Sequence, residues 1–216
     1  MSYATLILGE SGTGKTCSLR NLDPSQCLLI QPVRKPLPFR ANGWKEIAQK
    51  NDGGNVYVPS DMTRIAPAMY RCAAPIVIVD DYQYVLASMF MARRTENGFQ
   101  KFSDIGGIGY DIAKAASELA PDKRVYILAH TQTDENGRTK IKTIGKLLDE
   151  KITLEGLFTT VLRTVVDGEN YYFSTRNNGF DTVKSPMGMF EDALIPNDIA
   201  LVDTTICDYY DISKKE

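Results

Sequence analysis

The sequence contains a single histidine, His130, and four cysteines, Cys17, Cys27, Cys72 and Cys207, no two of them in a C-x-x-C pair. Multi-histidine metal centres and zinc fingers are thereby excluded, and His130 is left as the one candidate for any histidine-dependent dyad. Scattered, unpaired cysteines predict reduced thiols and a cytoplasmic protein. No apolar run approaches the ~20 residues of a membrane span, so no membrane partnership is expected. The first apolar run has no basic stretch before it and ends in a glycine loop, unlike a secretory leader. An excess of charge is also missing. Lys and Arg number 25 against 27 Asp and Glu, for a net charge of −2. Bulk charge therefore cannot coat nucleic acid, and any such contact must come from a local patch. With 43% hydrophobic and 24% charged residues the chain is not disordered, and its 216 residues predict one domain spanning 1–216.

Short β-branched runs alternate with amphipathic stretches, and Gly or Pro marks the joins. Strands are predicted at 3–8, 27–31, 55–58, 75–80 and 124–129, and helices at 14–21, 43–50, 61–72 (with Asp61 as N-cap) and 112–119. The proline-rich PVRKPLPF at 32–39 predicts an extended loop. Strands that are apolar on both faces and separated by helices predict an α/β fold with a mostly parallel sheet covered on both sides. Runs 159–166 and 170–175 flank Asp167-Gly168, which predicts an antiparallel hairpin extension near the C-terminus. Segments 93–109, with GGIG, and 131–145, with DENGR, read as mobile loops.

The chemistry concentrates at three strand ends. GESGTGKT at 9–16 matches GxxxxGK[ST] in full, with an apolar strand before it and a helical segment after it. That spacing lets backbone N–H groups curl around phosphates at a helix start, with Lys15 reaching the β- and γ-phosphates and the Thr16 hydroxyl on Mg²⁺. The predicted ATP-binding stretch is Gly9, Glu10, Ser11, Gly12, Thr13, Gly14, Lys15, Thr16 and Cys17. PIVIVDD at 75–81 ends in two carboxylates. Asp80 is placed to orient Mg²⁺, while Asp81 either polarises the attacking water or caps the next segment. His130 ends VYILAH, where it can sense a terminal phosphate or simply be a hydrogen-bonded surface histidine. Beyond it, Arg138, Lys140, Lys142, Lys146 and Lys151 outnumber Asp149 and Glu150. The other loop interleaves Arg93, Arg94 and Lys101 with Phe90, Phe99 and Phe102, the composition of a single-strand binding surface or of solvated loops with anchoring aromatics.

In GESGTGKT, PIVIVDD and ILAHTQT the chain resembles the P-loop ATPases with a RecA-like core. More narrowly, it is similar to the phage-encoded ATPases of the AAA/RecA-like group, some of which are single-strand annealing recombination proteins. IQPVRKPLPF and DTVKSPMGMFEDALIPNDI carry the similarity over nearly the whole chain. The resemblance implies an ATPase using ATP and Mg²⁺ in the cytoplasm of a host cell. It also implies a homo-oligomeric ring or filament with single-stranded DNA held by the two loops. In such assemblies a basic residue of the neighbouring subunit completes each ATP site, and Arg176 and Lys184 are the candidates here. Where those cores commonly carry a glutamate after the second strand, this chain has Gln31, which orients water but cannot take its proton, so turnover rests on Asp81. A nucleotide-gated binding module with little turnover, and a small-molecule kinase using Arg93-Arg94 as a lid, are the competing expectations.

Overall fold

A computed structural model of the protein describes residues 1–49 and 52–213. The chain opens with β1 (Tyr3–Gly9), a short 3₁₀ helix (Thr16–Leu19) and β2 (Cys27–Ile30). It continues through β3 (Val56–Tyr57), α1 (Ile65–Arg71), β4 (Ile76–Val79), α2 (Gln83–Ala92) and α3 (Gln100–Glu118). Then follow β5 (Arg124–Thr133), β6 (Thr139–Ile141), β7 (Thr160–Asp167), β8 (Asn170–Ser174), β9 (Leu194–Pro196) and α4 (Ile199–Tyr209). The strands form one sheet in the order β3-β2-β4-β5-β1-β7-β8-β9, with β6 paired to the end of β5. From β3 to β7 every pairing is parallel, and β8 and β9 extend the sheet antiparallel. This is a mixed α/β fold with a mostly parallel central sheet flanked by helices, compatible with a Rossmann-like layout. Among the described residues no helix is long and apolar enough to cross a membrane.

Alternation along the strands explains the two cores. Leu6 and Leu8 of β1, with Val77 and Val79 of β4, face Ile65, Leu86 and Ile112 of α1, α2 and α3. Ile7, Ile76 and Ile78 point the other way, onto Leu19 and onto Ile199, Val202 and Ile206 of α4. In sheet order the strands between β2 and β7, namely β4, Arg124–Ala129 of β5 and β1, are therefore buried on both faces, as their unbroken apolar runs require. Beneath the second layer, buried Arg124 and Asp203 form a two-point ion pair at 3.0 and 3.1 Å, and the Tyr126 hydroxyl donates to Asp203 at 2.7 Å.

Several expectations need correction. The 14–21 helix shrinks to Thr16–Leu19, because the segment continues as separate three-residue turns, Arg20 N to Cys17 O and Leu22 N to Leu19 O. Helix 43–50 is absent over its described residues, and Lys50 lies outside them. There, Ile47 N instead donates to Val56 O in an edge pairing, and the Asn55 amide bridges Gly43 and Lys45. The supposed mobile loop 93–109 contains the start of α3, and GGIG lies inside that helix. Its glycines serve close packing: a Cβ on Gly109 would lie 2.7 Å from Leu86 and 2.8 Å from the Tyr82 hydroxyl. Loop 131–145 is likewise partly ordered, since β5 runs on to Thr133 and turns at Asp134 into β6. The Asp167-Gly168 hairpin is present, with Asp167 facing Asn170. Helices α2 and α4 and strand β9 were not anticipated.

Candidate functional site

Parallel strands deliver their C-terminal ends to one edge of the sheet, where Gly9 of β1 pairs with His130 of β5 and Asp80 follows the end of β4 on the other side of β5. After β1 the chain turns through Gly12 and Gly14, at φ +81° and +92°, conformations costly for any residue with a Cβ. This turn aims the loop back over the strand ends. Among the described residues the backbone N–H groups of Gly12, Thr13, Gly14, Lys15 and Thr16 find no backbone acceptor, the condition of a nest open to an anion. Lys15 is buried, with Nζ donating to Gly9 O at 2.9 Å and Glu10 O at 2.7 Å. Burial pushes its ammonium down to about 8, with the Asp81 and Asp80 carboxylates opposing the shift.

The two carboxylates follow β4 directly. Consecutive residues of an extended chain point to opposite sides, but Asp81 is left-handed at φ +60°, and its carboxylate reaches the same lysine, Lys35, as Asp80 does. The Thr16 hydroxyl donates to Asp80 Oδ1 at 2.9 Å and reaches Oδ2 at 3.2 Å, tying the glycine loop to the end of β4 across the intervening β5. Burial and then the neighbouring Asp81 charge push the Asp80 carboxyl up, while Lys35, Thr16 and Gln31 oppose them. Burial acts on Asp81 in the same sense, but His130, Lys35 and their charges outweigh it and hold this carboxyl at about 2. His130 Nε2 lies 3.4 Å from Asp81 Oδ1, and Lys35 Nζ makes a short contact with Asp81 Oδ2.

A cavity of about 770 Å³ opens over these groups, large enough for a nucleotide-sized ligand. The chain matches no protein-family model and no curated protein sequence. Gly12, Gly14, Lys15, Thr16, Cys17, Asp81 and His130 line the cavity together with Tyr171 and Asn197, which lie against Gly14. Gly9, Glu10, Thr13 and Asp80 support this wall from behind, with Thr13 hydrogen-bonded to Thr164 at 2.7 Å. An anion in the nest would meet the loop N–H groups and Lys15, and a hard cation would meet the Thr16 and Asp80 oxygens. Among the described residues no three His, Cys, Asp or Glu side chains converge as a metal cage. Such a donor set suits Mg²⁺, which keeps its waters and shares phosphate oxygens, better than a metal needing an all-protein site.

Gln31 is buried beside Asp80, and its Nε2 makes no hydrogen bond of normal geometry. Arg176 and Lys184 are exposed and do not line the cavity; Arg176 donates to Glu191 O, and Lys184 pairs through its backbone with Val161. The basic segments are more constrained than their composition suggests. Arg93 is held by Glu96 at 2.7 Å and Asp104 at 2.8 Å, and Arg94 donates to Met91 O. Lys101 sits over the Phe90 and Phe102 rings, which pack on each other with centroids 5.8 Å apart. Lys140 pairs with Asp149 at 2.9 Å. Arg138, Lys142 and Phe99 remain exposed. Gly145 lies against Phe102, so the two segments are neighbours in space.

Sequence reasoning missed Lys35, Tyr171 and Asn197. Lys35 had no signal beyond its place among prolines. Tyr171 was hidden in a hairpin read only for its turn. Asn197 precedes the helix-capping Asp198, a signal for α4 and not for a site.

Proposed function

We propose that the protein is a P-loop ATPase with a RecA-like core that binds ATP with Mg²⁺, turns it over slowly, and uses it to govern contact with single-stranded DNA during annealing or strand pairing. The observation that carries this reading is the Thr16 hydroxyl on the Asp80 carboxylate, beneath an open nest that also holds Lys15. A strand order in which β5 separates β1 from β4 supports the RecA-like core. In this account Gly12 to Cys17 cradle the phosphates, Lys15 neutralises them, and Thr16 and Asp80 hold the cation. Bound Mg²⁺ supplies charge neutralisation at the phosphoryl oxygens. Gln31 positions water without accepting its proton, and the Asp81 carboxylate is already engaged by His130, so Asp81 adds little proton-accepting power. Slow turnover follows from both residues. Of the Arg93-Arg94 pair expected to serve as a kinase-type lid, Arg93 is engaged by Glu96 and Asp104 and Arg94 by Met91 O, and neither lines the cavity, which argues against a small-molecule kinase.

His130 connects the site to the DNA surface. It touches Asp81 through its ring, and its own strand continues into a hairpin, closed by Lys142 N donating to His130 O, that carries Arg138 and Lys142. The homo-oligomer that would place Arg176 or Lys184 in a neighbouring site belongs to the same proposal. The test is fluorescence anisotropy of a labelled single-stranded oligonucleotide across a salt series. Arg138→Glu with Lys142→Glu should weaken binding and flatten the log–log salt slope by about one per lost phosphate contact. ATP affinity without DNA should stay unchanged. Unchanged affinity and slope would leave an ATP-binding protein whose second ligand is not DNA held by this hairpin.

A further inference from the structure

Asp80 and Asp81 already have a cation. Lys35 Nζ contacts Asp81 Oδ2 and stands 3.9 Å from Asp80 Oδ2, on the same pair of carboxylates beside which the Thr16 hydroxyl is bound. The segment that carries it is anchored on both sides. Before it, Gln31 N donates to Tyr57 O; after it, Leu37 and Phe39 pack onto the second core, and Pro38 O accepts from Cys17 Sγ at 3.8 Å. The backbone is therefore held, while the Lys35 side chain is 37% exposed and lines the cavity. A four-carbon stem rooted there can move its ammonium off the carboxylates without moving the loop.

We propose that Lys35 is a placeholder for the divalent cation: it balances Asp80 and Asp81 in the metal-free protein, competes with a bare cation for them, and yields when the cation arrives with phosphate oxygens to which the lysine can transfer. This rests on the ATP reading of the site. The electrostatics argue for it. A bare divalent ion entering beside both Lys15 and Lys35 would leave a partly buried site with excess positive charge. A magnesium–nucleoside triphosphate complex is itself anionic and offers the displaced ammonium a new acceptor. Metal and nucleotide should then bind cooperatively, with Lys35 carrying the coupling.

The test is Mn²⁺ binding without nucleotide, followed by electron paramagnetic resonance, for the intact chain, Lys35→Met and Lys35→Arg. Removing the competitor should tighten bare Mn²⁺ binding by about tenfold or more, a typical size for coupling between sites, and Lys35→Arg should stay close to the unaltered protein. Adding Asp80→Asn to Lys35→Met should abolish the gain, which assigns it to this site. If Lys35→Met does not fold, Lys35→Gln removes the same charge and keeps the stem polar. Adding ATP should then raise Mn²⁺ affinity more in the unaltered protein than in the neutral variant. Bare Mn²⁺ binding that is no tighter without Lys35, or undetectable in every variant, would overturn the proposal. No nucleotide enters the first comparison, so a failure there leaves the ATP reading standing, and a chain that binds no ATP leaves that comparison intact.

Discussion

Two glycines two residues apart in α3, and so on opposite faces of the helix, should respond in opposite directions to the same methyl group. At Gly107 a Cβ meets nothing within 4 Å, so alanine should simply gain the helix preference, about 0.8–1 kcal/mol. At Gly109 the Cβ would lie 2.7 Å from Leu86 Cδ2, 2.8 Å from Tyr82 Oη and 3.2 Å from Leu148 Cδ1. Overpacking of that kind costs about 1–3 kcal/mol, against which the same helix preference returns less than about 1 kcal/mol. The two variants should therefore differ by about 2 kcal/mol, with Gly107→Ala above the unaltered protein and Gly109→Ala below it. For a chain of this size that separates their melting temperatures by about 4–8 °C. Thermal melts by circular dichroism, backed by urea titration, measure it. Equal shifts of the same sign would mean that GGIG is not packed in a helix against α2.

ATP binding without metal should weaken above pH 8. Lys15 must be charged to hold phosphate, and burial sets its ammonium at about 8 against 10.5 in water, so binding takes up a proton as pH rises through that value. Affinity should fall by about 25-fold between pH 7.5 and 9.5, with about half a proton taken up at pH 8, measured by calorimetry in buffers of different ionisation enthalpy. A flat profile would contradict the buried position of Lys15. Asp203→Ala should cost about 3–5 kcal/mol in urea unfolding, because it strands the buried Arg124 guanidinium; adding Arg124→Met should recover most of the loss. Asp80→Asn should impair Mg²⁺-dependent hydrolysis more than Asp81→Asn, because the Thr16 hydroxyl marks Asp80 as the carboxylate beside the metal.

Local signals carried the strands and the glycine loop well. VYILAH, PIVIVDD and YATLIL are apolar on both faces, and such runs become central parallel strands whatever surrounds them. The loop was legible because positive φ at Gly12 and Gly14 leaves few residue types able to build it. What was not legible depends on partners distant in sequence. GGIG looks mobile until Leu86, Tyr82 and Leu148 are seen pressing on it. Arg93, Lys101 and Lys140 look free until Asp104, the Phe90–Phe102 pair and Asp149 are placed beside them. Lys35 has no local pattern at all. Its position follows from how the proline segment after β2 folds over the ends of β4 and β5, which only the assembled sheet determines.

Equilibrium binding of a fluorescent ATP analogue in Mg²⁺ decides whether the glycine loop and Asp80 form one ATP site. The unaltered chain should bind saturably. Lys15→Ala should lose that binding while melting no lower, since the lysine it removes is itself held at a desolvation cost. A chain that binds no ATP, or a Lys15→Ala variant that binds with undiminished affinity, would contradict the account.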